Sequence, residues 1–204
     1  MKSKKKTNEI KRCGWCGVDP LYIRYHDEEW GREVTEDDKM FEFIVLEGAQ
    51  AGLSWITILK RRDNYKKAFA NFDVRKVAKF TEKQVESLLQ NSGIIRNRNK
   101  IESTISNARC FIEIQKEFGS FCQYLKSFLP NGKPIINHWK TLKEIPATTA
   151  LSDTISKDMK KRGFKFFGST ICYAHIQAVG YVNDHLIDCH CRKNIQKKNS
   201  KNSS

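Results

Sequence analysis

The apolar residues of this chain recur at helical spacing, and no segment alternates with period two for long enough to argue a sheet. Ile101, Ile105, Ala108 and Ile112 step by four, three and four, which predicts one long helix. Val85, Leu88 and Leu89 give a shorter one, capped by Thr81 and stopped near Gly93. Leu151, Ile155 and Met159 line another, ending at Lys160-Lys161-Arg162-Gly163. Thr35, followed by acids at 36–38, reads as the hydroxyl cap of a helix through Met40, Phe41, Ile44 and Val45 toward Gly48. Ile56, Leu59, Tyr65 and Phe69 predict a further helix, with Lys60, Arg61, Arg62, Lys66 and Lys67 between them, and residues 118–128 form a short aromatic element. Asn131-Gly132-Lys133-Pro134 marks a turn, and Ile145-Pro146-Ala147 breaks the chain. The expectation is an all-α fold without internal repeats. At 204 residues and 39% hydrophobic composition, the chain can bury one core, arranged as two closely packed lobes.

Two stretches break local rules. Leu46-Glu47-Gly48-Ala49-Gln50-Ala51-Gly52-Leu53-Ser54-Trp55 places a carboxylate and two glycines in an apolar run. Burying that charge is costly unless a partner satisfies it, and glycine in a helical pattern costs about 1 kcal/mol against alanine. Such a conflict marks a functional site. The second stretch is the hairpin after Arg162, where Phe164 to Gly168 connects to a helix through Ile171, Ala174 and Ala178, with Ser169 or Thr170 as cap. The free amides of that helix's first turn, beside Lys165, Gly168 and Ser169, suit a DNA phosphate. From this segment alone an ordinary α-hairpin with a glycine stop remains the stronger reading.

Cysteines and histidines gather at both ends of the body. His185 and Cys189, four apart, share a helix face, and with Cys13 and His26 they would complete a Cys2His2 tetrahedron, the closed set of a structural zinc. Cys16, His190 and Cys191 are rivals for the same places, and spacing alone leaves unliganded thiols open. His138 and His175 stand alone and read as satisfied core or surface residues. Seven cysteines without a framework spacing argue for a reducing, cytoplasmic setting.

The formal charge of +14 lies mostly at the ends. Residues 1–12 carry six basic side chains and one acid, and residues 192–204 carry five and none. Residues 1–11 and 192–204 therefore read as disordered basic tails around a body of 12–191. They aid solubility or add sequence-blind attraction to phosphates, with even weight on each. No apolar run approaches the ~20 residues of a membrane span, and the basic start leads into Thr7-Asn8-Glu9, which excludes a signal peptide.

Several ordered motifs resemble the bacterial 3-methyladenine DNA glycosylase I family. They are Cys-Gly-Trp at 13–15, Asp-Pro-Leu-Tyr-Ile at 19–23, Tyr-His-Asp at 25–27, Glu-Trp-Gly at 29–31, Leu-Glu-Gly at 46–48 and Gln-Ala-Gly-Leu-Ser-Trp-Ile at 50–56. Gly-Ile-Ile-Arg at 93–96, Lys-Lys-Arg-Gly-Phe-Lys-Phe at 160–166 and Val-Asn-Asp-His at 182–185 continue the match. The resemblance covers roughly residues 12–191 and implies a two-lobed helix-hairpin-helix glycosylase fold, with one structural zinc on Cys13, His26, His185 and Cys189 tying its ends.

The same resemblance implies a monofunctional enzyme that flips 3-methyladenine out of alkylated double-stranded DNA and hydrolyses its glycosidic bond. Tyr25 and Trp55 would stack on the base, Glu47 would accept from its amine side, and Trp15, Tyr22 and Trp30 would wall the pocket. Gly52 and Leu53 would fill the vacated stack. Glu47 is assigned to recognition first and to catalysis second. Asp184 is read as a carboxylate holding His185 rather than as a catalytic acid. Phe166 stands where the hairpin's first glycine would be. The chain is expected to work as a monomer. The competing reading is a zinc-stabilised DNA-binding module without catalysis; a catalytic zinc ranks last, because four protein ligands leave no open position.

Overall fold

The structure, a computed structural model, describes residues 10–192. The expected basic tails lie almost wholly outside the described residues. Arg192 is one exception: the sequence placed it in a tail, yet it is buried, donating to the carbonyls of Asn137 and His185 and contacting His138 Nδ1. Lys11 also engages the body, its carbonyl accepting from His190 N.

Ten helices carry the described part: α1 Pro20–Glu28, α2 Asp37–Gln50, α3 Trp55–Leu59, α4 Arg62–Ala68 and α5 Val74–Val77, then α6 Glu82–Leu89, α7 Arg98–Phe118, α8 Phe121–Lys126, α9 Ala150–Lys161 and α10 Ser169–Ala178. The mostly helical architecture agrees with the sequence. Two short strands, β1 Ile135–Ile136 and β2 Val182–Asn183, pair in parallel. Two residues cannot display an alternation, so periodicity had nothing to register.

α2 is the central beam, packing on α3, α7, α8 and α10. Its Met40, Phe41, Ile44 and Leu46 are buried, facing a core completed by Ile101, Ile105, Ala108 and Phe111 of α7 and by Cys172 and Ile176 of α10. Each fully buried large apolar side chain contributes about 1.5–3 kcal/mol. Where the chain passes Arg32 and Glu33, position 180 must be glycine. Its φ is +75°, and a Cβ there would sit 2.3 Å from the Arg32 carbonyl carbon.

Three local expectations change, and one short helix is added. Thr35 does not cap α2; Glu36 holds the cap position without a side-chain bond. Asp37 instead accepts from Phe121 N (2.8 Å), Cys122 N (3.0 Å) and Gln115 Nε2 (2.7 Å), so the acid serves the start of α8. The helix expected from Ile56 to Phe69 divides at Lys60–Arg61, and Arg62 beyond the break forks onto Glu29 and reaches Glu42. α5 is too short to show a period and is fixed by Asp73 accepting from Arg75 N and Lys76 N. Finally, Gly168, not Ser169 or Thr170, occupies the cap position of α10.

Candidate functional site

A cleft of about 360 Å³ lies between α1, the end of α2, α3 and α10. Asp19 caps α1 by accepting from Leu21 N (2.9 Å), and Pro20 opens it, so Tyr22 and Tyr25 fall three apart on one face. Trp15 comes from the turn before α1, Trp30 from the turn after it, and Trp55 opens α3. Opposite, α10 offers Ala174, Gln177 and Ala178, whose two small side chains leave the space. All the aromatic residues assigned to the pocket from sequence line this cleft, with Glu47 among them. Trp15 packs against Tyr22 at 5.1 Å and Trp30 at 5.0 Å between centroids. Tyr25 and Trp55 touch, with centroids 5.4 Å apart and planes at 50°. A flat base between them needs about 7 Å, twice a stacking separation, so these rings must part to admit one.

Glu47 is 3% exposed. Its Oε2 accepts from His175 Nδ1 at 2.7 Å, and Oε1 takes no hydrogen bond among the described residues. Burial pushes the carboxyl above its ordinary value, and the contact with His175 draws it part of the way back. His175 was missed by the sequence reading. A signal existed: Glu47 and His175 each interrupt an apolar helical run, and pairing two such residues satisfies both at once.

Asp184 is fully buried and does not hold His185. Its carboxylate accepts from Asn137 Nδ2 (2.7 Å), Trp139 Nε1 (2.8 Å), Gln177 Nε2 (2.7 Å) and the Tyr173 hydroxyl. With its lone pairs committed to four donors, it joins β2 to α10 and the 137–139 segment and has no oxygen free to orient water.

The turn after α2 projects outward. Gly52 has φ +78°, a conformation that L side chains rarely adopt, and Leu53 is 40% exposed. Lys100 of α7 holds this turn from beneath, its Nζ donating to Ala49 O (2.9 Å) and Ala51 O (2.6 Å). The ammonium thus serves the unpaired carbonyls at the end of α2. In the hairpin, Phe166 adopts φ +53°, the left-handed region a glycine would normally fill, at a strain of about 1–2 kcal/mol. Asn107, buried in α7, clamps the loop: Nδ2 donates to Lys165 O and Oδ1 accepts from Lys165 N, both at 2.9 Å. The Ser169 hydroxyl is turned inward, donating to Asp153 Oδ1 (2.5 Å) and meeting Ser152 Oγ (2.8 Å). No side chain caps the first turn of α10, and Lys165 and Gly168 are exposed beside it.

Cys13, His26, His185 and Cys189 come together, all buried. Cys13 Sγ lies 3.6 Å from His185 Nδ1, while Cys189 Sγ lies 3.5 Å from His26 Nε2 and 3.4 Å from His185 Nδ1. Ordinary Zn–S and Zn–N bonds at tetrahedral angles give S···N edges of about 3.6 Å, so the donor set fits zinc. The outer ring nitrogens are also engaged, His26 Nδ1 with Asp27 Oδ1 (2.7 Å) and His185 Nε2 with Trp30 O (3.2 Å). Such partners fix the tautomer of a metal-binding imidazole. Arg12 forks onto Asp27 in turn. Of the rivals, Cys16 Sγ donates to Cys13 O, while His190 and Cys191 group with Asp27 on the far side of His26. The cluster also touches the cleft wall: Trp30 lies 4.6 Å from the His185 ring and Trp15 5.2 Å from that of His26.

A larger depression of about 660 Å³ lies on the other side of Tyr25. Four of its charges are bound to one another, Arg62 with Glu29 and Glu42 and Lys39 with the same two acids, and its lining is mostly charged rather than aromatic. The smaller aromatic cleft therefore has the better chemistry for a ligand.

Comparison with known proteins agrees with this geometry. Residues 15–193 match the methyladenine glycosylase family. DNA-3-methyladenine glycosylase 1 of Escherichia coli (strain K12) is 52% identical over 182 residues, covering 89% of this chain and 97% of that protein. A DNA-3-methyladenine glycosylase of Haemophilus influenzae is 47% identical over 181 residues, 89% of this chain and 97% of that one. A crystal structure of 3-methyladenine DNA glycosylase I matches with a TM-score of 0.86 at 51% identity, covering 89% of this chain and 99% of that one. The Staphylococcus aureus 3-methyladenine DNA glycosylase I, studied for its recognition of 3-methyladenine, matches with a TM-score of 0.86 at 33% identity, covering 90% and 97%.

Proposed function

The chain belongs to the methyladenine glycosylase family and is a DNA-3-methyladenine glycosylase, and we propose that the Glu47 cleft is where it holds the base. The observation that carries this reading is a carboxylate 3% exposed in an aromatic cleft with one oxygen unbonded among the described residues. Nothing in a helical core calls for that arrangement. A cationic base bearing an amine does, because a charge-assisted hydrogen bond to it offsets the burial.

The target adenine cannot be reached within the duplex, so its nucleotide turns out of the stack. Leu53, carried outward on the Gly52 turn, fills the gap and offsets part of the unstacking. The open first turn of α10, with Lys165 and Gly168 beside it, receives a backbone phosphate through its amides; Ser169 contributes its N–H, since its hydroxyl is committed inward. Trp55 parts from Tyr25 and the base slides between them, a contact worth about 1–3 kcal/mol per stacked base. Trp15, Tyr22 and Trp30 close the wall, and Glu47 Oε1 accepts from the exocyclic amine.

N3-methylation has already made the base a good leaving group. The N9–C1′ bond breaks with its electron pair going to the base, which leaves neutral. Water adds to C1′ and gives up a proton, leaving an abasic sugar. Glu47 is the only acid lining the cleft among the described residues; bound at the amine edge it recognises the base first, and it lends the sugar cation only longer-range electrostatic support. The cluster of Cys13, His26, His185 and Cys189 is read as a structural zinc site. Its four protein donors leave no position for substrate, and the ion would hold the chain ends and the Trp15–Trp30 wall in place. The tails supply salt-sensitive attraction to duplex DNA, on which the protein works as a monomer.

Tryptophan fluorescence titrated with free 3-methyladenine tests the cleft. Parent protein is expected to show saturable quenching, and Glu47→Gln and Trp55→Ala to bind about tenfold more weakly or worse. Equal binding by parent and Glu47→Gln would remove Glu47 from the pocket.

A further inference from the structure

His175 has a feature that ordinary packing does not explain. The ring is fully buried, Nδ1 donates to Glu47 Oε2, and Nε2 has no hydrogen-bond partner among the described residues. The edge contact of the ring with Phe167, at 5.3 Å between centroids, is apolar. An imidazolium here would bury an unpaired N–H, whereas a neutral ring protonated at Nδ1 leaves only an unused lone pair. The geometry therefore assigns the ring proton to Nδ1, where it is donated to Glu47.

We propose that His175 is a positioning and specificity residue: it keeps Glu47 ionised with Oε1 turned toward the cleft, so that the pocket carries a net negative charge and selects a cationic base over a neutral one. The inference rests on the reading of this cleft as the base pocket. A cationic partner in place of His175 would neutralise Glu47 and remove that preference. A partner without a donor would leave the buried carboxylate with nothing to oppose protonation. His175 supplies a donor without supplying a charge. The groups that sense Glu47 are His175 and Cys172 from α10 and Tyr25 from α1. Of the described residues, His175 alone opposes the effect of burial on Glu47.

The substrate allows a clean test, because a 3-methyladenine still attached to deoxyribose stays a cation throughout the acid limb. The acid limb of the rate profile then reports the protein. Single-turnover release of 3-methyladenine is measured for parent, His175→Phe and His175→Asn from about pH 5 to about pH 9, normalised to folded protein. His175→Phe is expected to lose about tenfold in the single-turnover rate at neutral pH and to shift its acid limb upward. His175→Asn, which can offer a side-chain N–H to the same oxygen, is expected to move the limb back toward the parent position. An active parent whose acid limb coincides with that of His175→Phe overturns the inference while leaving the pocket in place. A parent that releases no base overturns the pocket reading and the inference together. Ring-nitrogen NMR of the resting protein examines the pair without activity. A neutral His175 protonated at Nδ1 near neutral pH is expected, and an imidazolium or an Nε2-protonated ring overturns the proposal.

Discussion

Glu47 and Glu42 sit on the same helix and respond to burial in opposite directions. At Glu42, burial alone would raise the carboxyl, but hydrogen bonds and charge from Arg62 outweigh it and hold the group below its ordinary value; Glu29 behaves likewise. Their stabilisation is present above the unfolded carboxyl range and is lost as pH falls through the folded values. At Glu47, burial wins over His175, and the folded value is raised. Its stabilising contribution is therefore complete below the unfolded value and lost as pH rises through the folded one. Ionised, Glu47 is a burden on stability that function retains. Glu47→Gln is expected to raise the melting temperature at neutral pH, with the gap closing toward acid, while base release falls. Melts of both proteins across pH check this, and a pH-independent difference would contradict it.

At the scale of elements, the working parts are ends and turns held by single polar side chains. Lys100 holds the end of α2 and therefore the Gly52–Leu53 turn. Lys100→Met is expected to cost about 1–2 kcal/mol in stability and to lower turnover on DNA about tenfold, while free 3-methyladenine still binds as in the parent. Equal turnover would show that the turn needs no support from α7. The helices themselves were legible because their faces repeat over several turns, and the hairpin was legible from its glycines and basic run. Lys100 and Asn107 were not. Each acts across many positions of sequence, on a backbone carbonyl that no local pattern points to. Asp184 shows the same limit from the other direction: its neighbour His185 suggested a partnership, while its four donors come from residues 137, 139, 173 and 177. The missed cap at Thr35 has a similar cause, since Asp37 is drawn to α8, more than eighty residues away.

For the whole molecule, the cluster of Cys13, His26, His185 and Cys189 joins residues 172 apart in sequence, Cys13 with His185. Closing so long a span removes considerable freedom from the unfolded chain, and metal affinity for the folded ends becomes folding energy. About one zinc per chain is expected to survive dialysis, and a strong chelator is expected to lower the melting temperature and the activity together. Loss of activity at an unchanged melting temperature would instead point to a metal acting in the reaction. Because the Trp15–Trp30 wall packs on the same histidines, chelation should also change tryptophan fluorescence before global unfolding. Among the described residues no helix is long and apolar enough to cross a membrane. The aromatic cleft, the outward turn and the open start of α10 are the three features that a flipped base, a vacated stack and a phosphate require. The most direct measurement is chromatography of bases released from methylated duplex DNA by stoichiometric protein. Free 3-methyladenine, with an abasic strand that breaks only after added alkali, is the predicted result; intact substrate, with no free base at that ratio, would contradict the account.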